Sequence, residues 1–229
     1  MEQSNISKKE LIKLVVTRVL LVVICLFLFF FLSAGTLDYW QAWVYMAILL
    51  IPMIFVMRYF LIHNPEFLER RMRLGETVPT QKRIIRFSFI FFLLAFILPG
   101  LDRRWGWSKV PIFVVIIADL IVVLSYYWIV RVFKENIYAS RVIEVTREQK
   151  VISSGPYAAI RHPMYTGVAI MYSVSPIALG SWWALIPGLM IIPVLVVRLL
   201  NEEEVLSREL PGYDQYKRKV KYRLLPGIW

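Results

Sequence analysis

Residues that bind metals or form disulfides are scarce in this chain of 229 residues. It holds one cysteine, Cys25, and two histidines, His63 and His162. A single cysteine excludes an intrachain disulfide and a thiolate metal cage, and two scattered histidines are too few for a zinc site. None of the ten glycines forms a G-x-G motif, which argues against a Rossmann-type site. We therefore expect neither a bound metal nor a Rossmann domain.

Charged residues are also scarce, at 19% of the chain, whereas 59% of the residues are hydrophobic. A soluble domain is nearer a quarter charged. The hydrophobic residues form six long runs with at most one charge each, the pattern of membrane-spanning helices of about 20 residues. These runs cover residues 19–37, 39–57, 87–101, 110–130, 164–180 and 182–197. The sequence predicts an all-α polytopic bundle of about six spans. We expect a single integral membrane domain, with four spans in 1–134 and a C-terminal hairpin and tail in 135–229.

The basic residues are distributed unevenly around these runs. If the N-terminus is cytoplasmic, 24 of the 27 lysines and arginines lie on the cytoplasmic side, and only Arg103, Arg104 and Lys109 lie outside. The positive-inside rule therefore predicts that both termini are cytoplasmic. A net charge of +11 also occurs in nucleic-acid-binding proteins, but charges beside membrane spans favour anionic lipid headgroups. We expect membrane lipid, and no nucleic acid, as a partner.

The fifth and sixth runs predict an antiparallel helical hairpin with a two-residue turn at Gly180-Ser181. Each leg rises about 25–28 Å at 1.5 Å per residue, so residues 161–165 and 202–204 should be neighbours in space. Because a helix turns about 100° per residue, at most two of the three glutamates at 202–204 face the hairpin. A structural interpretation is also open, in which the histidine is interfacial and the glutamates form a solvated helix end.

Asp119 lies inside the fourth run, where a carboxylate is costly and normally faces a partner or a cavity. It is either a packing contact or a wall of the functional site. Between the fourth and fifth runs, residues 141–146 alternate as in a strand, and residues 153–157 have the composition of a turn. Pro163 suits the first turn of the fifth span, where its missing N–H has no cost.

Taken together, these motifs resemble those of the isoprenylcysteine carboxyl methyltransferase family. The family pattern is Arg-His-Pro-x-Tyr-x-Gly, a hydrophobic stretch and paired glutamates, which here reads Arg161-His-Pro-Met-Tyr-Thr-Gly167 followed by Glu202-Glu203. The stretch Val151-Ile-Ser-Ser-Gly-Pro-Tyr157 matches as well, and the tail Leu210-Pro-Gly-Tyr-Asp-Gln-Tyr216 is similar to the bacterial or archaeal branch. The resemblance extends from about residue 136 to the C-terminus, and the first three spans match only in type.

The resemblance implies a membrane methyltransferase that uses S-adenosylmethionine, releases S-adenosylhomocysteine and works at the cytoplasmic face of the inner membrane or the endoplasmic reticulum. Its acceptor would be a small-molecule or protein carboxylate on a prenylated cysteine, or a similar lipid acid. By the same resemblance, the expected cofactor-binding residues are Val151, Gly155, Pro156, Tyr157, His162, Pro163, Tyr165, Glu202 and Glu203. The expected catalytic residues are Arg161, Arg198 and Glu203, and those expected to contact the acceptor are Asn136, Arg141 and Asp119.

Methyl transfer to a carboxylate needs few catalytic groups. A sulfonium leaving group requires no proton, and a carboxylate is already ionised at neutral pH. The protein has mainly to align two molecules and exclude water, which contributes up to about 7–11 kcal/mol. Two alternatives stay open. One is a phospholipid amine N-methyltransferase, whose acceptor needs a base, and the other is a non-catalytic membrane scaffold or a transporter, although transporters usually show repeat symmetry.

Overall fold

A computed structural model describes residues 6–72, 79–139, 145 and 149–229. Within these ranges the protein consists of eight α-helices and contains no strand. The helices are α1 (Lys8–Phe27), α2 (Trp40–His63), α3 (Pro65–Met72), α4 (Pro79–Trp105), α5 (Ile112–Glu135), α6 (Pro163–Ala178), α7 (Leu185–Glu209) and α8 (Tyr213–Lys219). A π-helical turn continues α1, and a 3-10 turn at Gly155–Ala158 precedes α6. The strand predicted over 141–146 falls almost entirely outside the described residues.

Five helical segments are long and apolar enough to cross a membrane. They are Lys8–Leu32, Trp40–His63, Lys82–Trp105, Ile112–Glu135 and Leu185–Glu209. The helix at the fifth predicted span, α6, has 16 residues, about 24 Å at 1.5 Å per residue. Large apolar side chains such as Leu32, Phe55 and Leu124 are 65–71% exposed, as on a surface that faces lipid. The predicted all-α polytopic membrane fold is confirmed.

Two glycines bring α6 close to its neighbours. A Cβ atom on Gly167 of α6 would lie 2.7 Å from Ile129 of α5, and one on Gly188 of α7 would lie 2.9 Å from Pro176 of α6. Small residues at such contacts let the backbones of membrane helices approach each other. The helix α6 is therefore held between α5 and α7, and the position of its first residues is fixed by this packing.

The connection between α6 and α7 is longer than predicted. It comprises residues 179–184, so the two-residue turn expected at Gly180-Ser181 is wrong. Ser181 Oγ donates to Asp102 Oδ2 at 2.5 Å, and the same carboxylate accepts a hydrogen bond from the N–H of Ser108 at 2.6 Å. This buried carboxylate joins the loop to the α4–α5 connection, and helix lengths alone do not indicate such an anchor. The hairpin still returns the chain to the depth at which α6 begins.

Candidate functional site

Glu203, near the end of α7, is buried and contacts three side chains from two separate parts of the chain. Its Oε1 accepts a hydrogen bond from Arg161 Nε at 2.6 Å and lies 3.2 Å from His162 Nε2. Its Oε2 accepts a hydrogen bond from Arg223 Nε at 3.0 Å. Arg161 also donates from Nη1 to two backbone carbonyls of the C-terminal tail. The predicted proximity of the segment before α6 and the glutamates of α7 is confirmed by this geometry.

The C-terminal tail, residues 220–229, packs against the segment that precedes α6. The N–H of Arg161 donates to the carbonyl of Tyr222, and the N–H of His162 donates to the carbonyl of Arg223, both at 2.9 Å. Pro163 follows as the first residue of α6, as predicted, because proline has no N–H to satisfy there. Arg161 and His162 are thus fixed through both backbone and side chain.

A second glutamate of α7, Glu202, is partly buried and faces α6. Tyr165 Oη donates to Glu202 Oε2 at 2.5 Å and accepts a hydrogen bond from Arg198 Nε at 3.0 Å. Arg198 and Glu202 are one turn apart on α7 and share a face of the helix. The third glutamate, Glu204, is exposed. The three consecutive glutamates therefore have three different environments, and two of them face the hairpin, as predicted.

The 3-10 turn before α6 carries Tyr157 into the same region. Gly155 has a φ of +54°, and a Cβ atom there would lie 2.8 Å from the carboxylate of Glu135, so the close approach requires glycine. Tyr157 Oη accepts a hydrogen bond from Asn136 Nδ2 at 3.0 Å, and the carbonyl of Tyr157 accepts one from Tyr216 Oη at 2.8 Å. Burial raises the pKa of Tyr157 to about 12, so its hydroxyl is neutral at physiological pH.

These groups surround a single cavity at the end of the bundle where α6 begins and α7 ends. The residues predicted from the sequence that line it are Asn136, Val151, Tyr157, Arg161, His162, Tyr165, Arg198 and Glu202. Both polar and aromatic side chains line the wall, so the cavity offers hydrogen-bonding groups as well as flat apolar surfaces. Such a mixture suits an organic molecule that carries charges and a ring.

An apolar groove of about 490 Å³ opens beside this cavity, between α4, α6 and α7. Its walls are mostly hydrocarbon, with Phe92 and Leu195 among them. Met164, Tyr165 and Arg198 line both the groove and the cavity. A molecule lying in the groove would therefore meet the contents of the cavity at these three side chains.

The other predicted site residues lie behind the walls or elsewhere. Four of them do not line the cavity but adjoin residues that do. Gly155 and Pro156 share the 3-10 turn with Tyr157, Pro163 follows His162, and Glu203 contacts Arg161 and His162. Asp119 lies 16 residues before the end of α5, about 24 Å along the helix, and the structure does not bring it to the cavity. Its Oδ1 is buried and has no hydrogen-bond partner among the residues described. Arg141 falls outside the described ranges.

Two tyrosines of α8, Tyr213 and Tyr216, line the cavity although neither was among the predicted site residues. Both belong to the tail motif that supported the family resemblance, which was the signal available for them. Tyr213 Oη is buried and has no hydrogen-bond partner in the described part of the chain. An unsatisfied buried hydroxyl costs roughly 1–3 kcal/mol. This hydroxyl is therefore available to a molecule bound in the cavity.

The fold is that of an integral membrane protein. At one end of its helical bundle, a site suited to a polar organic molecule lies beside an apolar groove. Residues 113–211 match the family model described as phospholipid methyltransferase. The matched stretch runs from α5 to just beyond the end of α7 and contains all the cavity-lining residues except Tyr213 and Tyr216. No curated protein is a significant match to the chain. The matched family is one of the membrane methyltransferases like isoprenylcysteine carboxyl methyltransferase, and the match confirms the resemblance found in the motifs.

Proposed function

We propose that this protein transfers a methyl group from S-adenosylmethionine to the carboxylate of a lipidic acceptor, either a prenylated cysteine or a similar lipid acid, to form a methyl ester. The observation that carries the proposal is the shared wall of Met164, Tyr165 and Arg198 between the polar cavity and the apolar groove. A transfer between a polar cofactor and a lipid requires two such sites that meet at the reacting atoms.

The groups around the cavity fit S-adenosylmethionine. Glu202 supplies carboxylate oxygens for ribose hydroxyls or an α-ammonium group, as carboxylates do at other nucleotide sites. The unpartnered hydroxyl of Tyr213 supplies a further hydrogen bond. The rings of Tyr157 and Tyr216 offer flat surfaces for an aromatic base. When bound, the cofactor supplies an electrophilic methyl group on a sulfonium, and S-adenosylhomocysteine is the product.

The side chains at the junction favour an anionic acceptor. Arg198 lines both sites, and Arg71 lines the groove nearby, with its guanidinium 4.6 Å from the ring centroid of Phe133. Arginine beside a carboxylate gives strong, directional hydrogen bonds. The acceptor oxygen gains a bond to the methyl carbon as the carbon–sulfur bond breaks, and the two opposite charges are neutralised. The protein binds and orients the cofactor and the acceptor and excludes water from the site, and no general base is needed.

A second candidate is N-methylation of a phospholipid amine, which the description of the matching family favours. An ammonium headgroup must lose a proton before it attacks. Glu202 and His162, which both line the cavity, would then be the bases. Arg198 and Arg71 would bind the phosphate of the lipid instead of a carboxylate.

One experiment separates the two acceptors. Purified protein is incubated with S-adenosylmethionine that carries a radiolabelled methyl group, and with either an S-farnesyl cysteine derivative or phosphatidylethanolamine vesicles. Mild base releases an ester methyl group as volatile methanol, whereas a methyl group on nitrogen stays bound. We expect base-labile transfer to the prenylated acid. Base-stable label on the phospholipid alone would favour the second candidate.

Binding of S-adenosylhomocysteine, measured by calorimetry, is the companion experiment. We expect micromolar binding by the wild type and weaker binding by Glu202→Ala. A well-folded wild type that binds no S-adenosylhomocysteine and transfers no methyl group would refute both candidates and leave the scaffold or transporter alternative.

We also propose that the cavity faces the cytoplasm, at the inner membrane of a prokaryote or the endoplasmic reticulum of a eukaryote. The proposal rests on the distribution of basic residues, since 24 of 27 are assigned to the side that carries the cavity. A fluorescent protein fused after Trp229 should fluoresce, and alkaline phosphatase inserted at Gly106 should be active. The opposite pattern would reverse the orientation.

A further inference from the structure

A second apolar groove, of about 400 Å³, lies on the other side of α6. It is bounded by α5, by α6 and by residues 224–226 of the tail. From α6, Thr166 and Ile170 line this groove, whereas Tyr165 and Val168 line the groove next to the cavity. A helix turns about 100° per residue, so the two pairs point in opposite directions. The second groove is therefore separate from the one assigned to the acceptor.

Two polar side chains in the walls of this second groove form hydrogen bonds within the protein. Trp128 Nε1 donates to the carbonyl of Pro163 at 2.7 Å, and Thr166 Oγ1 donates to the carbonyl of Leu224 at 2.8 Å. The surface that remains toward the groove is almost entirely hydrocarbon and includes Leu225, which is 45% exposed. Such a surface suits an acyl chain and offers little to a polar ligand.

Two exposed basic residues lie close in sequence to residues that line the second groove. On α5, Ile121, Leu124 and Trp128 line the groove at helical spacing, and exposed Arg131 continues this stripe by almost one turn. On the tail, exposed Lys221 comes shortly before the lining residues. Hydrocarbon followed by two cations at the membrane boundary is the charge pattern that anionic phospholipids complement.

We propose that the second groove binds an acyl chain of an anionic phospholipid from the surrounding bilayer, with its headgroup against Arg131 and Lys221. The bound lipid holds the C-terminal tail against the cavity. Arg223, which directly precedes the groove-lining Leu224, donates to Glu203, and the carbonyl of Arg223 accepts the hydrogen bond from His162. Packing an acyl chain against this part of the tail favours the arrangement in which Arg223 binds Glu203 and His162.

The lipid site itself rests on the groove and its charges, whereas its effect on the cavity rests on the proposed function. The test compares phosphatidylglycerol and phosphatidylcholine with identical acyl chains, each added to delipidated protein in a neutral detergent. Native mass spectrometry counts the retained lipids, and hydrogen exchange reports the protection of residues 220–229. We expect one phosphatidylglycerol to bind at least about tenfold more tightly than phosphatidylcholine and to slow exchange in the tail.

Two variants and a control locate the bound lipid. Ile170→Trp fills the groove. The double variant Arg131→Gln/Lys221→Gln removes the two exposed positive charges that would bind the lipid headgroup. Both should lose the tightly bound phosphatidylglycerol and the tail protection. Val123→Trp is the control, because Val123 is 44% exposed on α5 and is turned about 100° from groove-lining Leu124, away from Ser125. This variant should retain both the bound lipid and the tail protection. The charge variant decides the matter if Ile170→Trp does not fold.

Three results would overturn the proposal. Equal retention of the two lipids would remove the selectivity for an anionic headgroup. A dimer that Ile170→Trp abolishes would assign the groove to a second copy of the chain. A raised KM for the methyl acceptor in Ile170→Trp, with unchanged lipid retention, would assign it to the acceptor. Lipid counting needs no cofactor, so protection of the tail by phosphatidylglycerol without any S-adenosylhomocysteine binding would refute the proposed function and leave the lipid site standing.

Discussion

Arg161 Nε lies 2.6 Å from Glu203 Oε1, and both side chains are more than nine-tenths buried. The other oxygen of Glu203 binds Arg223 from the tail at 3.0 Å. A buried ion pair persists only where hydrogen bonds satisfy its remaining donors, and Arg161 Nη1 meets that condition through two tail carbonyls. The pair therefore joins the start of α6, the end of α7 and the tail. We therefore expect Glu203 to act as a positioning residue, because it holds Arg161 and His162, which line the cavity.

Glu203→Ala should lower the stability of the protein strongly. Loss of the carboxylate leaves Arg161 buried without its counter-ion, which costs about 3–5 kcal/mol. Thermal unfolding in detergent measures the effect, and limited proteolysis should show earlier release of the tail. Glu204→Ala is the matched control, because Glu204 is the next residue of the same helix and is exposed. Equal melting temperatures for the two variants would contradict the positioning role.

Tyr165→Phe should weaken S-adenosylhomocysteine binding and methyl transfer. The change removes the hydroxyl that donates to Glu202 and accepts from Arg198. Hydrogen bonds to charged groups contribute about 1.5–3 kcal/mol, so we expect a loss of roughly tenfold to a hundredfold. Calorimetry and initial rates measure the two effects. Tyr127→Phe, at a residue that is 64% exposed on α5, should change neither, and an unaffected Tyr165→Phe would exclude this hydroxyl from the site.

The membrane helices and the proximity of His162 to the glutamates could be predicted because both follow from fixed helix geometry. Apolar runs near 20 residues have few alternatives to a span, and the rise per residue sets the depth at which α7 returns. The separate environments of Glu202, Glu203 and Glu204 could not be predicted. They depend on the rotation of α7 about its axis, which is set by close contacts such as that of Gly188 with Pro176.

The position of Tyr213 at the cavity also could not be predicted from the sequence, because it depends on how α8 and the tail that follows it pack against the bundle. Backbone hydrogen bonds from Arg161 and His162 fix that path, and backbone groups leave no pattern in the residue types. The length of the α6–α7 connection was predicted wrongly for a similar reason. It depends on the side-chain bond between Ser181 and Asp102, residues far apart in the chain.

The tyrosines around the cavity should make the protein sensitive to alkaline pH. Burial raises the pKa of Tyr157 to about 12 and those of Tyr213 and Tyr216 further. A pKa raised above its unfolded value of about 10 means that the stabilisation is complete below pH 10 and is lost as the pH rises toward 12. The melting temperature should therefore stay level from about pH 7 to 9 and fall above 10.

Absorbance of tyrosinate near 295 nm follows this titration directly. In Tyr157→Phe, one tyrosine fewer should ionise above pH 10, and the melting temperature should fall less steeply in that range. A wild-type melting temperature that declines steadily between about pH 7 and 9 would show that other groups control the alkaline stability.

Tyr213→Phe should have opposite effects on the free protein and on binding. Tyr213 Oη is buried without a hydrogen-bond partner in the described part of the chain, so its removal should leave the melting temperature unchanged or raise it. If the hydroxyl binds the cofactor, affinity for S-adenosylhomocysteine should fall about tenfold. The matched variant Tyr216→Phe loses the 2.8 Å hydrogen bond to the carbonyl of Tyr157 and should cost about 1 kcal/mol of stability. A Tyr213→Phe variant that is destabilised as much as Tyr216→Phe, with unchanged binding, would show that Tyr213 serves the fold and not the ligand.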